Sequence, residues 1–224
     1  MTLHLLPNFL GPNQDPKFSL VPILDEVVNT LDGFFVETPK EARVYLKHFQ
    51  FDILKEKPMV IVDKRTENFE EILEPLKNKE NWGVIVDAGL PCLADPGSRL
   101  VAAARSQGIK IIAYPGPSSI FLALMLSGLD SQSFVFGGYL PRVIDPSIRK
   151  EKRTQVYIET PYNNMKSFEA LLQILNDQDT LGIACDLLSP AQEVVVQSVK
   201  IWKKRIAFYE FHKRPAIFLI KIYA

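Results

Sequence analysis

Two glycines and two prolines crowd one eleven-residue stretch, residues 87–97, which reads D-A-G-L-P-C-L-A-D-P-G. The apolar run before it, residues 84–86, predicts a buried strand, and residues 100–104 after it predict a helix capped by Asp95 with Pro96 as its first residue. Glycine permits positive φ, and proline fixes φ and removes an N–H donor. A rigid loop at the carboxyl end of a buried parallel strand is typical of ligand binding in open α/β sheets. An elaborate strand-to-helix turn is the alternative.

A second loop of the same kind follows along the chain. Residues 109–113 predict another buried strand, which ends in Y-P-G-P-S-S and leads into a helix over residues 120–126 that Gly128 closes. The two loops are therefore expected on the same edge of a parallel sheet. Because only one of Ser118 and Ser119 can cap the helix, the other hydroxyl is free for a ligand.

Strands and helices alternate along the chain, which predicts an α/β protein with parallel or mixed sheets. We place a first α/β domain of five strands over residues 1–115 and a second over residues 116–224. In the first, residues 69–76 predict one helix with an apolar face. In the second, residues 142–154 are polar, basic and interrupted by proline, which predicts a mobile surface loop.

The composition is that of an ordinary globular protein, with 47% hydrophobic and 23% charged residues in a chain of 224. No apolar run approaches the ~20 residues of a membrane helix, and no signal peptide is evident. We therefore expect a cytoplasmic protein with no membrane partner. The two cysteines, Cys92 and Cys185, lack metal-ligand spacing, so no structural metal is expected.

The net charge is zero, but the charges are distributed unevenly. Residues 1–115 contain 13 Lys/Arg and 16 Asp/Glu, and residues 116–224 contain 13 and 10. Four basic residues are candidates for contacts with RNA phosphates, because they follow the predicted strand exit at residues 137–141 and are expected on the edge where the two Gly/Pro-rich loops lie: Arg149, Lys150, Lys152 and Arg153. A solvated surface is the alternative interpretation of such a run.

The loop at residues 87–97 resembles the D-A-G-T-P-x-I-S-D-P-G signature of the tetrapyrrole methylase superfamily, in its ribosomal RNA small-subunit methyltransferase I branch. The second loop resembles the P-G-P-x-x segment of that branch. Residues 37–49 can be laid without gaps on its E-D-T-R-x-T-x-x-L-L-x-x-F stretch, and residues 157–162 are similar to its F-F-E-S-P-H segment. The resemblance implies a homodimeric, S-adenosylmethionine-dependent methyltransferase whose cofactor sits folded in a cleft between two α/β domains.

From this resemblance and the two loops we expect seven residues at the cofactor: Leu10, Gly89, Leu90, Leu93, Ser118, Ser119 and Tyr162. Methyl transfer to a hydroxyl also needs a group that removes its proton. Glu37, Asp87 and His48 are candidates, and Glu37 is favoured because it alone lies at a strand end and matches the family stretch. The alternative roles of Glu37 are to cap the helix that starts at Pro39 or to pair with a lysine.

The chain also departs from the branch. Residues 7–12 read P-N-F-L-G-P where the branch has T-P-I-G-N, Leu90 replaces a threonine, and only Glu37 is kept from E-D-T-R. Three functions are therefore open. The chain is a ribosomal RNA methyltransferase acting on a ribose 2′-hydroxyl, a methyltransferase for a tetrapyrrole or another small molecule, or a non-catalytic S-adenosylmethionine-binding protein.

Overall fold

The first strand, β1 (Thr2–Leu6), lies between two parallel neighbours in the computed structural model, which describes residues 1–11, 14–205 and 209–223. It pairs with β4 (Asn81–Ile85) on one side and with β5 (Lys110–Ala113) on the other. With β2 (Gly33–Val36) and β3 (Met59–Ile61), these strands form a parallel sheet in the order β3-β2-β4-β1-β5. The loops that follow β1, β4 and β5 therefore leave from one edge, side by side.

Helices cover both faces of this parallel sheet, which is why its strands are apolar on both sides. Phe34 and Phe35, adjacent in β2, belong to two different apolar clusters, one on each face. The helices are α1 (Pro16–Ser19), α2 (Ile23–Thr30), α3 (Pro39–Leu46), α4 (Phe51–Leu54), α5 (Phe69–Ile72), α6 (Glu74–Lys77) and α7 (Gly97–Ser106).

Two helix predictions in this half were wrong in detail. Residues 69–76 form not one helix but two, α5 and α6, because Pro75 has no N–H with which to continue a helix. The helix after the loop begins at Gly97, so Asp95 and Pro96 lie outside it. From there the Asp95 carboxylate still accepts the backbone N–H of Gly97, the first helical residue, over 2.6 Å, which is the hydrogen bond expected of a cap.

The chain divides into two compact units, Met1–Ser118 and Ser119–Ala224. The second unit contains a five-stranded sheet in the order β6-β7-β10-β8-β9. Its strands are β6 (Phe134–Tyr139), β7 (Thr154–Glu159), β8 (Thr180–Cys185), β9 (Glu193–Ser198) and β10 (Ala216–Lys221). β6 and β7 are parallel, whereas β10 is antiparallel to both of its neighbours. The predicted α/β class with parallel and mixed sheets is confirmed.

Three α-helices and one 3-10 helix complete the second unit as described: α8 (Ser119–Ser127), the 3-10 helix Pro146–Lys150, α9 (Asn164–Ile174) and α10 (Val199–Arg205). Aromatic rings fill its core, where Phe168 packs edge-on against Trp202 and Phe211. The indole N–H of Trp202 donates to the carbonyl oxygen of Leu181 over 2.7 Å, which joins α10 to β8. No helix within the described ranges is long and apolar enough to cross a membrane.

Candidate functional site

Asn8 joins the loop after β1 to the loop after β4. Its backbone N–H donates to the carbonyl oxygen of Gly89 over 2.8 Å, and the Gly89 N–H donates to the carbonyl oxygen of Phe9 over 3.0 Å. The Asn8 side chain, only 4% exposed, donates to the carbonyl oxygen of Val86 over 2.7 Å and accepts the N–H of Phe9. Because a buried amide must be hydrogen-bonded, these contacts fix both loops at once.

The loop after β5 packs against the same pair through glycine. A Cβ built on Gly116 would lie 2.1 Å from Cβ of Pro7, so no side chain fits there. A Cβ on Gly89 would lie 3.2 Å from Cδ2 of Leu10 and 3.7 Å from the carbonyl oxygen of Pro117. The structure thus brings the predicted residues Leu10 and Gly89 together, beside the loop that carries Ser118. Pro12, the last residue of the altered first loop, lies outside the described residues.

Three residues of the loop at 87–97 have left-handed backbone conformations. Gly89 has φ of 72°, Cys92 of 72° and Ala94 of 67°. The last two carry side chains, for which this region is unfavourable, so neighbouring contacts must hold them. The hydrogen bond from the Gly97 N–H to Asp95 is one such contact. Strain of this kind is concentrated at functional sites in proteins.

Two carboxylates, those of Glu37 and Asp95, lie on the wall of a small pocket at the ends of β2 and β4. Its remaining lining is Phe35, Val36, Val62, Val84, Ile85, Val86, Pro96 and Gly97. Burial raises the pKa of Glu37, and the negative charges of Asp87 and Asp95 add to that shift. Burial also raises the pKa of Asp95, whose Oδ2 is buried with no hydrogen-bond partner among the described residues.

Glu37 does not have either of its alternative predicted roles. Its Oε2 accepts the backbone N–H of Asp87 over 3.3 Å, across the sheet edge, and α3 has no side-chain cap. No ion pair joins Glu37 to a lysine in the described part of the chain. The neighbouring Thr38 hydroxyl donates to the Asp87 carboxylate over 2.7 Å. Glu37 therefore belongs to a network that orders the start of the loop.

The chemistry of these loops fits a cationic ligand better than a phosphate. The three loops, residues 7–11, 87–97 and 114–118, contain the carboxylates of Asp87 and Asp95 and no lysine or arginine. S-adenosylmethionine carries its positive charge on sulfur, so it fits this set of side chains. Cys92 is no nucleophile here, because burial raises the pKa of its thiol to about 11. No three His, Cys, Asp or Glu side chains group to hold a metal ion within the described residues.

The remaining predicted cofactor residues lie in different settings. Leu90 is partly buried with Cδ2 near Gly116, and Leu93 is 42% exposed on the same loop. Ser118 is 9% exposed at the end of the first unit. Ser119 is the first residue of α8, and Tyr162, 78% exposed, follows β7; both belong to the second unit. Their contact with the cofactor stays a prediction.

The predicted RNA-binding residues lie on a segment that was expected to be a loop. The structure instead shows the 3-10 helix Pro146–Lys150 within it. Arg149 pairs with the fully buried Asp179, with Nε 3.3 Å from Oδ2, and Arg153 pairs with Glu151. The position inferred for this segment was also wrong. It leaves the exit of β6 but reaches the start of β7, at the opposite end of the sheet, because β6 and β7 are parallel.

Sequence reasoning missed two residues of the first site. Asn8 follows the first strand directly, and a polar residue between Pro7 and Phe9 was its only signal. Asp95 was predicted only as a helix cap, whereas its carboxylate also lines the pocket. Both positions depend on contacts between loops that are distant in sequence, and local patterns do not report such contacts.

Residues 25–201, more than half of the chain, match the family described as Tetrapyrrole (Corrin/Porphyrin) Methylases. The chain belongs to the tetrapyrrole methylase family. This confirms the resemblance carried by residues 87–97, which lie within the matched span.

Curated members of the methylase family resemble the chain over most of its length. A protein of Xylella fastidiosa named ribosomal RNA small subunit methyltransferase I is 27% identical, covering 98% of this chain and 80% of its own. One of the same name from Thermotoga maritima is 29% identical, covering 82% of each. The protein of the same name from Streptococcus pyogenes is 31% identical, and the match covers 80% of this chain and 63% of that protein.

The methylase fold is also seen in a solved structure. The crystal structure of uroporphyrin-III-C-methyltransferase from Thermus thermophilus has a TM-score of 0.59 to this chain and is 17% identical. The match covers 98% of this chain and 94% of that one. The similarity establishes the fold in both units.

Proposed function

We propose that the chain transfers a methyl group from S-adenosylmethionine to small-subunit ribosomal RNA. The observation that carries this proposal is the junction of three loops around Gly89, which places the family signature at the carboxyl edge of a parallel sheet. In open α/β sheets this edge is where ligands bind. Relatives named ribosomal RNA small subunit methyltransferase I support the choice of substrate.

The residues that would hold the cofactor in the first unit are Leu10, Gly89, Leu90, Leu93 and Ser118. The cofactor supplies a methyl group activated by its sulfonium. The rigid loops bind and orient, and the apolar side chains exclude water from the reacting atoms. Positioning of this kind can supply ~7–11 kcal/mol of a barrier. In the second unit, Ser119 and Tyr162 complete the proposed set.

Glu37 is the proposed proton acceptor for a ribose 2′-hydroxyl. A carboxylate in water is a weak base, and burial raises the pKa of Glu37, which strengthens it. The Asp87 N–H holds one carboxylate oxygen, Oε2, and thereby orients the group. That the methyl group is transferred to the ribose 2′-hydroxyl is also part of this proposal.

We further propose a homodimer that works in the cytoplasm, where its proposed substrate is found. An exposed apolar surface on α8 supports self-association, with Phe121 51%, Met125 77% and Leu126 47% exposed. Contiguous exposed apolar surface is a mark of protein–protein interaction sites.

Comparing modified nucleosides of small-subunit ribosomal RNA from cells with and without the gene tests the function. We expect one methylated nucleoside to disappear in the deletion strain and to return when purified protein and S-adenosylmethionine are added to the unmodified RNA. Unchanged nucleosides, together with binding of S-adenosylmethionine, would leave the small-molecule methyltransferase or the non-catalytic binding protein. Methyl transfer to a porphyrin substrate would then separate those two.

A further inference from the structure

Basic side chains collect at one end of the second sheet, where β7 and β8 begin and β9 and β10 end. Nine of the thirteen lysines and arginines in residues 119–224 lie on the segments that meet there. We call this surface the basic edge; it consists of Arg149, Lys150, Lys152, Arg153, Lys200, Lys203, Lys204, Arg205 and Lys221. At the other end of the sheet Arg214 is neutralised, because it pairs with both Asp186 and Glu193.

Asp179 holds the segments of the basic edge together. Its carboxylate, fully buried, accepts from the Arg149 guanidinium, from the N–H of Asn176 over 2.8 Å and from the N–H of Tyr223 over 3.0 Å. Its backbone oxygen accepts the N–H of Val199, the first residue of α10, over 2.9 Å. One buried residue therefore fixes the 3-10 helix and the end of β10 through its carboxylate, and the start of α10 through its backbone oxygen.

A second contact joins β10 to the segment that follows the 3-10 helix. Lys221, the last residue of β10, donates from Nζ to the carbonyl oxygen of Lys152 over 3.0 Å. Lys203 pairs with Asp177 at 2.8 Å, and the N–H of Lys200 donates to the Asp177 backbone oxygen. The cations thus lie on ordered backbone rather than on separate flexible loops.

Several of these cations form no salt bridge with a described residue. Three of the nine pair with carboxylates: Arg149, Arg153 and Lys203. In the described part of the chain, the exposed side chains of Lys150, Lys152 and Lys200 form no ion pair. Tyr223, 45% exposed, follows β10 at the same end of the sheet, where its N–H donates to the Asp179 carboxylate. Cations without salt bridges and an exposed aromatic residue at one end of the sheet suit a polyanion whose bases can stack.

We propose that the basic edge binds the phosphate backbone of the RNA substrate. Within the second unit, the length of β7 separates this surface from the end of the sheet where β6 and β7 finish and Tyr162 follows. The six residues of β7 span about 20 Å at ~3.3 Å per residue. A folded RNA covers such a distance, whereas a small molecule does not. This inference rests on the proposed function, since it assigns a second contact to the same RNA.

The test compares two triple variants of the full-length protein with equal charge change. Lys150→Gln, Lys152→Gln and Lys200→Gln remove cations of the basic edge that form no salt bridge with a described residue. Lys47→Gln, Lys110→Gln and Lys166→Gln remove three exposed lysines elsewhere, none of which forms an ion pair among described residues. The probe is transcribed small-subunit ribosomal RNA, with binding measured by fluorescence anisotropy over a salt series. S-adenosylmethionine binding and methyl transfer are measured in parallel.

We expect the basic-edge variant to lose about 10- to 100-fold in RNA affinity, and its log–log salt slope to flatten by about 2 to 3. The control variant keeps the wild-type slope, and both variants bind S-adenosylmethionine normally. Equal slopes in the two variants, with methyl transfer intact, would overturn the basic edge while leaving the proposed function standing. No RNA binding or methylation by the wild type would refute the proposed function itself.

One further comparison distinguishes RNA from a protein partner. If the basic-edge variant binds naked RNA normally but binds assembled small ribosomal subunits poorly, the surface recognises a ribosomal protein. That result would overturn the RNA assignment.

Discussion

The N–H of Asn8 donates to the carbonyl oxygen of Gly89 over 2.8 Å, linking two loops that lie 81 positions apart in the sequence. The link exists because β1 and β4 are parallel neighbours, so that their loops leave the sheet together. Gly89 is thereby held at φ of 72° against Leu10. The candidate cofactor site depends on this junction.

Replacing Gly89 tests whether the junction binds the cofactor. Gly89→Val should abolish S-adenosylmethionine binding, because a branched Cβ disfavours positive φ and would lie against Leu10. Gly108→Val is the matched control, since Gly108 has φ of 70° and open space around it. Calorimetry with S-adenosylmethionine and S-adenosylhomocysteine measures binding, and thermal unfolding reports the strain of ~1–2 kcal/mol common to both. Wild-type affinity in Gly89→Val would show that the cofactor lies elsewhere.

The pH dependence of methyl transfer tests Glu37. Because burial raises its pKa above the usual 4.5, the rate should fall as the pH drops through this raised pKa and the carboxylate takes up a proton. Glu37→Gln should lower kcat about 100-fold or more and remove this dependence, with S-adenosylmethionine affinity kept. Glu41→Gln, on the neighbouring helix α3, should keep the wild-type rate and profile. The same acidic limb in Glu37→Gln would assign the proton to another group.

The stability of the same variant gives an independent readout. A carboxyl group whose pKa is higher in the folded than in the unfolded state contributes stability at low pH and loses it as the pH rises through the folded pKa. Removing the charge with Glu37→Gln should therefore leave the protein at least as stable as wild type at neutral pH. Urea unfolding at neutral and acidic pH measures this. A large loss of stability at neutral pH would make Glu37 a structural residue.

Arg149 should matter for folding more than for RNA binding. Arg149→Ser leaves the carboxylate of Asp179 buried without its cation, which should cost about 3 kcal/mol of unfolding free energy. Arg153→Ser breaks an exposed pair with Glu151 and should leave the unfolding free energy nearly unchanged. Chemical denaturation of the two variants measures the difference. Equal, small losses of unfolding free energy would mean that the buried Asp179 carboxylate does not need the Arg149 cation.

Light scattering tests the proposed homodimer. We expect twice the chain mass of 25.4 kDa at micromolar protein, and Met125→Glu should reduce it to one chain by placing a charge in the exposed apolar surface of α8. Val143→Glu changes an equally exposed apolar residue outside α8 and should leave the dimer intact. A wild-type mass of 25.4 kDa would refute the dimer.

The sequence predicted those features of the fold that local patterns determine. Buried strands, the two Gly/Pro-rich loops and the Gly128 helix end follow from periodicity and backbone chemistry, and their order predicted an α/β fold. The sequence could not predict that Asn8 would join two loops, or that Asp95 would line a pocket, because both depend on tertiary contacts. The position of Arg149 was wrong for the same reason: the strand that follows it, β7, runs parallel to β6.

The middle position of the second sheet belongs to β10, the last strand along the chain, with β7 and β8 on either side of it. During translation, residues 119–215 emerge from the ribosome before the segment that must separate β7 from β8. The second unit therefore cannot close its core until synthesis reaches residue 221, whereas the first unit has all its strands by residue 113. We therefore expect the first unit, with its proposed cofactor loops, to fold first during synthesis. The second sheet forms only after β10 has been made.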